Sequence, residues 1–157
     1  MSARGDRGNR GQGLAEFAIA LPAFLLILFG LLDVGRAVFA YNGVTNAARE
    51  GARLAIVNQD ATSIETRAAD QATALDVTAT VQFREPSPNP DAADNAVCAP
   101  ERLGCIAVVR VSTAWSAVTP VIGSLLGPFT MQAESQLPVE FICPNPSIGF
   151  TTCPKQP

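Results

Sequence analysis

Between Glu16 and Asp33 the chain carries no charge: Phe17 to Leu32 is an unbroken uncharged run, rich in leucine, isoleucine and phenylalanine. Sixteen such residues span about 24 Å as an α-helix, and extending the stretch from Leu14 to Val34 reaches membrane-crossing length. Three readings compete: a retained membrane helix, a cleaved secretory signal, or a buried core helix. A signal peptide wants a small-x-small cleavage site directly after the apolar region, and Leu32-Asp33-Val34-Gly35-Arg36 offers none; Ala37 to Ala40 is a poor substitute. A retained membrane segment over about residues 14–34 is the preferred reading. Its mouth holds one carboxylate, Glu16, which would cost roughly 2.5–3.5 kcal/mol at a bilayer centre and therefore calls for a partner.

The ends of the chain agree with a membrane-anchored orientation. Arg4, Arg7 and Arg10 precede the apolar run, which favours a cytoplasmic N-terminus. The four cysteines, Cys98, Cys105, Cys143 and Cys153, all lie in the last third, and the chain has no histidine. Their spacings of seven and ten residues are unlike a structural zinc site, so no metal is assigned to them. Two disulfides are expected, with the local loops Cys98–Cys105 and Cys143–Cys153 preferred among the three possible pairings. Disulfides place that part of the chain in an oxidising, extracytoplasmic compartment. The net charge of −3 and the lack of a basic stripe outside residues 1–11 argue against a nucleic-acid partner.

The apolar pattern changes after Val34. Tyr41, Val44, Ala48, Gly51, Ala52 and Ala55 fall on one helical face, opposite Asn42, Asn46, Arg49 and Arg53. One helix is therefore expected from about Leu14 to Val57, after a basic, unstructured leader over residues 1–11. Asn58-Gln59-Asp60 ends it, and Thr62 or Ser63 is expected to cap a second helix ending near Leu75. Val77–Phe83 alternates strictly and predicts a strand; Cys105–Trp115 predicts a second, and Phe129–Phe141 a third with a break near Pro138. Pro120–Gly127 predicts a helical turn, while the proline-rich stretches around Pro86–Pro100 and after Cys143 predict coil. The expected fold class is α+β: a long N-terminal helix, half membrane and half amphipathic, packed on a small antiparallel sheet. Residues 12–57 form the helix, and residues 58–157 an extracytoplasmic domain with stapled loops.

Leu14-Ala15-Glu16-Phe17-Ala18-Ile19-Ala20-Leu21-Pro22 and Phe29-Gly30-Leu31-Leu32-Asp33-Val34-Gly35-Arg36-Ala37 resemble the TadE-like proteins of tight-adherence (Flp-type) pilus systems. The resemblance continues through Tyr41-Asn42 and Thr45-Asn46-Ala47-Ala48-Arg49-Glu50-Gly51-Ala52-Arg53. It implies a pilin-like layout and a pseudopilin or minor pilin cut by a prepilin peptidase. The family's processing motif, a glycine, four residues, a glutamate and an aromatic, maps onto Gly11, Gln12 as the new N-terminus, and the pair Glu16 and Phe17. The new Gln12 amine is a cation at neutral pH and can pair with Glu16 of a neighbouring subunit, two costly charges satisfying one another. The implied partners are the prepilin peptidase, other pilin or pseudopilin subunits, the inner-membrane assembly platform and membrane lipid. The signature helix positions are Pro22, Gly30, Asp33, Gly35, Arg36, Asn42, Asn46, Arg49, Glu50, Gly51 and Arg53.

Blander roles compete at several of these positions. Asp33 reads as an i,i+3 partner of Arg36 at the outer interface, and Arg49, Glu50 and Arg53 as a solvated helix face. Pro22 frees the Ala18 carbonyl and can kink the helix. Trp115 reads as core, and the acidic loop of Asp91, Asp94 and Glu101 as solvated, without the spacing of a calcium hand. No nucleophile–base pair, phosphate loop or carboxylate cluster suggests an enzyme, and no cofactor is expected. Besides a processed pilin-like subunit, two readings remain: an uncleaved single-pass scaffold of the export machine, and a signal-anchored binding or cell-adhesion module.

Overall fold

A computed structural model of the protein describes residues 8–86, 96–144 and 153. The expectations for the first seven residues, for Asp91 and Asp94 and for the tail beyond Pro144 apart from Cys153 lie outside the described residues. The element order is α1 (Gly8–Ala55), α2 (Ala61–Gln71), β1 (Val77–Arg84), β2 (Ile106–Trp115), α3 (Pro120–Leu126) and β3 (Phe129–Pro138). The strands form one antiparallel sheet in the order β1-β2-β3. The α+β fold, a long N-terminal helix with an apolar stretch followed by a small antiparallel sheet, is the one expected from the sequence.

Contacts divide the chain into two compact units. One comprises α1 up to Ala37 together with Ser116–Pro128; the other comprises Val38–Trp115 and the chain from Phe129 onward. In the second unit the last turns of α1 lie against the sheet and α2 through small side chains. Val44, Ala47, Ala48, Ala52 and Ala55 are buried there with Ile64 and Ala68 of α2 and Val109 and Val111 of β2. A Cβ built on Gly51 would stand 2.9 Å from Val109 Cγ1 and 3.0 Å from the Ala68 Cβ, so only glycine permits this approach. Tyr41 departs from the expected face and is exposed, whereas Ala40, Ala47 and Leu54, outside that face, are buried. A bulky ring has no room on a face built for backbone-close packing.

The linker after α1 is held by side-chain amides. Asn58, fully buried, accepts from the Asp60 amide at 2.8 Å. Gln59 donates to the carbonyls of Ala55 and Phe141, and its Oε1 accepts from the Cys143 amide at 2.7 Å. The Ile56 carbonyl accepts from Glu140 and Phe141, tying the chain beyond β3 to the end of α1. α2 starts two or three residues earlier than a Thr62 or Ser63 cap implies: Asp60 is the N-cap, accepting from the Ser63 amide at 2.9 Å. It ends at Gln71 rather than near Leu75, as the Ala72 amide turns back to the Ala69 carbonyl. β3 stops at Pro138, which has no amide to continue a ladder.

Arg110 and Glu134 face each other across β2 and β3 and form an ion pair. The disulfides are Cys98–Cys105 and Cys143–Cys153, the two local loops preferred from spacing. Trp115 is buried, as expected, with Phe129 tilted against it at 5.1 Å between ring centroids.

Candidate functional site

The chemistry-bearing residues lie along α1, and they fall into three groups. The first is the N-terminal group. α1 begins at Gly8, so Gly11, Gln12 and Gly13 are already helical and the expected unstructured leader does not extend to residue 11. The helix begun by the apolar run extends back through these residues although Gly8, Asn9, Gly11 and Gly13 are weak helix formers. Gln12 and Glu16, one turn apart, share a face, and the Gln12 amide donates to the Glu16 carboxylate at 3.2 Å. Phe17 is exposed beside them, and neither Gly11 nor Gly13 has a neighbour in reach of a Cβ.

The membrane-length stretch follows. Among the described residues, one helix is long and apolar enough to cross a membrane by length and composition, and its most apolar window is almost wholly uncovered by the rest of the protein. This is compatible with a single-pass membrane anchor. Helix α1 continues through Pro22.

The second group centres on Asp33, and here the sequence reading was incomplete. Asp33 does pair with Arg36, at 3.3 Å. It is also buried, 3% exposed, and its two oxygens accept the backbone amides of Val118 and Thr119 at 2.9 Å each. These amides belong to the turn that starts α3, where Thr119 is the N-cap and Pro120 the first helical residue. Gly30, one turn before Asp33, receives Ile122: a Cβ there would lie 3.3 Å from Ile122 Cδ1. The only signal for this contact in the sequence was the Thr119-Pro120 helix start, which marks free amides without naming their acceptor. Gly35 meets nothing within 4 Å.

The third group is the polar face of residues 42–53. Asn42, Asn46, Arg49 and Arg53 are exposed, as their spacing implies. Glu50 is not simply solvated: Arg67 of α2 donates to it through Nε at 3.1 Å and Nη2 at 2.7 Å, and Arg53 stands 3.8 Å away. Gly51 is the close-approach glycine against Val109 and Ala68. The signature therefore mixes packing positions, an internal clasp and an outward polar face on one helix.

That pattern has a counterpart among known families. Residues 11–53 match the family model of the TadE-like proteins. The match begins at Gly11 and ends at Arg53, so it takes in all three groups of this TadE-like segment. No curated protein and no solved structure matches the chain.

Proposed function

We propose that this protein is a pilin-like structural subunit, a pseudopilin or minor pilin, of a tight-adherence pilus. The TadE-like segment ties the chain to Tad pilus systems, and the rest of the reading rests on chemistry at its N-terminal end. A prepilin peptidase cuts after Gly11, removing the arginine-bearing leader and leaving a charged amine on Gln12. The anchor is single-pass, with the N-terminus cytoplasmic and the disulfide-stapled domain outside. The protein is not an enzyme and takes no cofactor; its work is assembly with other subunits on the inner-membrane platform.

The observation that carries this reading is the contrast between the two carboxylates of the apolar half of α1. Asp33 is neutralised inside the chain by Arg36 and two amides. Glu16 is exposed, and its described bond is to the neutral amide of Gln12. A carboxylate at the mouth of an apolar segment is worth its cost when a cation arrives from elsewhere. The Gln12 amine of a neighbouring subunit is such a cation, and cleavage creates it.

Intact-mass analysis of the protein from cells with and without the peptidase tests the cut. A mature chain starting at Gln12 is expected. A start at Met1 or Ser2 fits the uncleaved scaffold instead, and a start within Val38–Tyr41 a removed signal. Glu16→Gln protein is expected to be processed but to lose co-purification with the other pilus subunits. Normal co-purification of the processed variant refutes the pairing.

A further inference from the structure

We infer that the Ser116–Pro128 segment is a second membrane contact, in which α3 lies in the outer interface of the bilayer beside α1. The inference rests on the reading of α1 as the membrane anchor. Its starting point is the distribution of charge. From Val111 to Ala133 the chain has no charged residue, although Arg110 and Glu134 bound the stretch at either end. Such a gap is unexpected for an exposed connection, since surface loops are ordinarily polar.

Within this unit the segment meets α1 at the end of the uncharged run. Ile122 packs on Gly30, and the amides of Val118 and Thr119 cap Asp33. Three large apolar side chains of the segment are nonetheless left uncovered: Leu125 is 83% exposed and Leu126 61%, flanking Ile122 on α3, and Val118, just before the helix, 70%. Three large apolar side chains are thus held, by a backbone clasp, at the depth where a membrane helix leaves the hydrocarbon. A cavity of about 400 Å³ opens between the segment and α1, lined by Phe29, Leu32, Val118 and Pro120 with Asp33 and Arg36 at its edge. Its lining is almost wholly apolar, which suits an acyl chain.

The clasp has a second consequence for the same surface. Asp33 is the only carboxylate between Glu16 and Glu50. By covering it, the segment removes the one acidic group from the lipid-facing outline of this part of α1, where Leu31, Leu32 and Val34 are exposed. Interfacial elements with such a face sit about 5–10 Å into the headgroup and acyl boundary. Continuity with the anchor and the absence of charge both select lipid as the occupant over a soluble partner.

The test uses the full chain in phospholipid vesicles, with Trp115→Phe as the background so that one reporter indole is present. Leu125→Trp and, separately, Val118→Trp are compared with Phe24→Trp, which reports on the anchor. Expected is a blue-shifted emission for both segment reporters, quenched by lipids brominated near the headgroup end of the acyl chains and shielded from acrylamide. Emission that is open to acrylamide and untouched by brominated lipid overturns the proposal, provided Phe24→Trp is quenched by lipid. Shielding from both quenchers also overturns it, because a protein surface then covers α3. If Phe24→Trp escapes the brominated lipid as well, the anchor reading has failed and this inference with it.

Discussion

Two stretches of α1 solve the problem of an apolar helix in opposite ways. From Leu14 to Phe39 the apolar residues are large and exposed, with Leu14, Phe17, Ile19, Ile27 and Leu31 all standing clear of the rest of the protein. From Ala40 to Ala55 the buried ones are mostly small, with alanine, valine and glycine admitting α2 and β2 almost to the helix backbone; Tyr41 alone among the large ones stays exposed, and Leu54 is buried. Size follows what covers the helix. A stretch that its own chain buries uses small residues, because close packing with few voids recovers dispersion contacts. A stretch that the rest of the chain leaves uncovered has no partner backbone to admit, and long side chains give it the greatest apolar area.

The largest test of this contrast sets one substitution at two glycines of α1. Gly51→Leu pushes into Val109 and Ala68, and overpacking of this kind costs about 1–3 kcal/mol. Gly35→Leu meets nothing within 4 Å and gains helix propensity of up to roughly 0.8 kcal/mol. Thermal unfolding of both variants in detergent should therefore move the midpoint down for the first and leave it level or slightly raised for the second. Equal losses at the two positions would break the division of α1 into a packed and an unpacked stretch.

The small face of α1 was legible in the sequence because its spacing is helical, β1 because its side chains alternate, and β2 because it is a short run rich in β-branched residues. The membrane-length run was legible from absence of charge alone. What escaped were contacts between elements distant in the chain. Glu50 sits among Arg49 and Arg53 and reads as part of a solvated face; only the docking of α2 brings Arg67 within 2.7 Å. Asp33 has Arg36 at the right spacing, so a local pair accounts for it fully in the sequence, and the Val118 and Thr119 amides are 85 and 86 residues away. Tyr41 kept the period of the buried face but not its size. Periodicity carries direction around a helix, whereas the tolerance of a packed face for bulk depends on the partner's distance.

The Glu50–Arg67 pair sharpens the same comparison at smaller scale. Both side chains are partly exposed, at 20% and 33%, so solvent screens them and their coupling should stay below about 1 kcal/mol. A double-mutant cycle of Glu50→Gln and Arg67→Gln, read by urea midpoint, is expected to give a small positive coupling that fades in high salt. A coupling of several kcal/mol would mean that the junction of α1 and α2 excludes water far more than its exposure indicates.

The smallest effect concerns the N-cap of α2, and it asks whether the packed unit titrates as a water-facing domain. The Ser63 hydroxyl and then its backbone amide hold the Asp60 carboxyl below its ordinary value of 3.8. A carboxyl depressed in the folded state contributes stability that is fully present above the unfolded pKa and is lost as pH falls through the folded one. Wild-type protein should therefore lose stability below about pH 3.8 relative to Asp60→Asn, which keeps a capping oxygen but does not titrate there. Above that pH the two unfolding midpoints should run parallel. Glu134 titrates in the same direction in both proteins: burial pushes it up, but the hydrogen bonds from Arg110 and Gln136 more than offset this, so it cancels in the comparison. A gap between the curves that persists unchanged through the acid range would place the Asp60 carboxyl outside the cap. Helix α2 would then owe its start to burial of Ile64 and Ala68 alone.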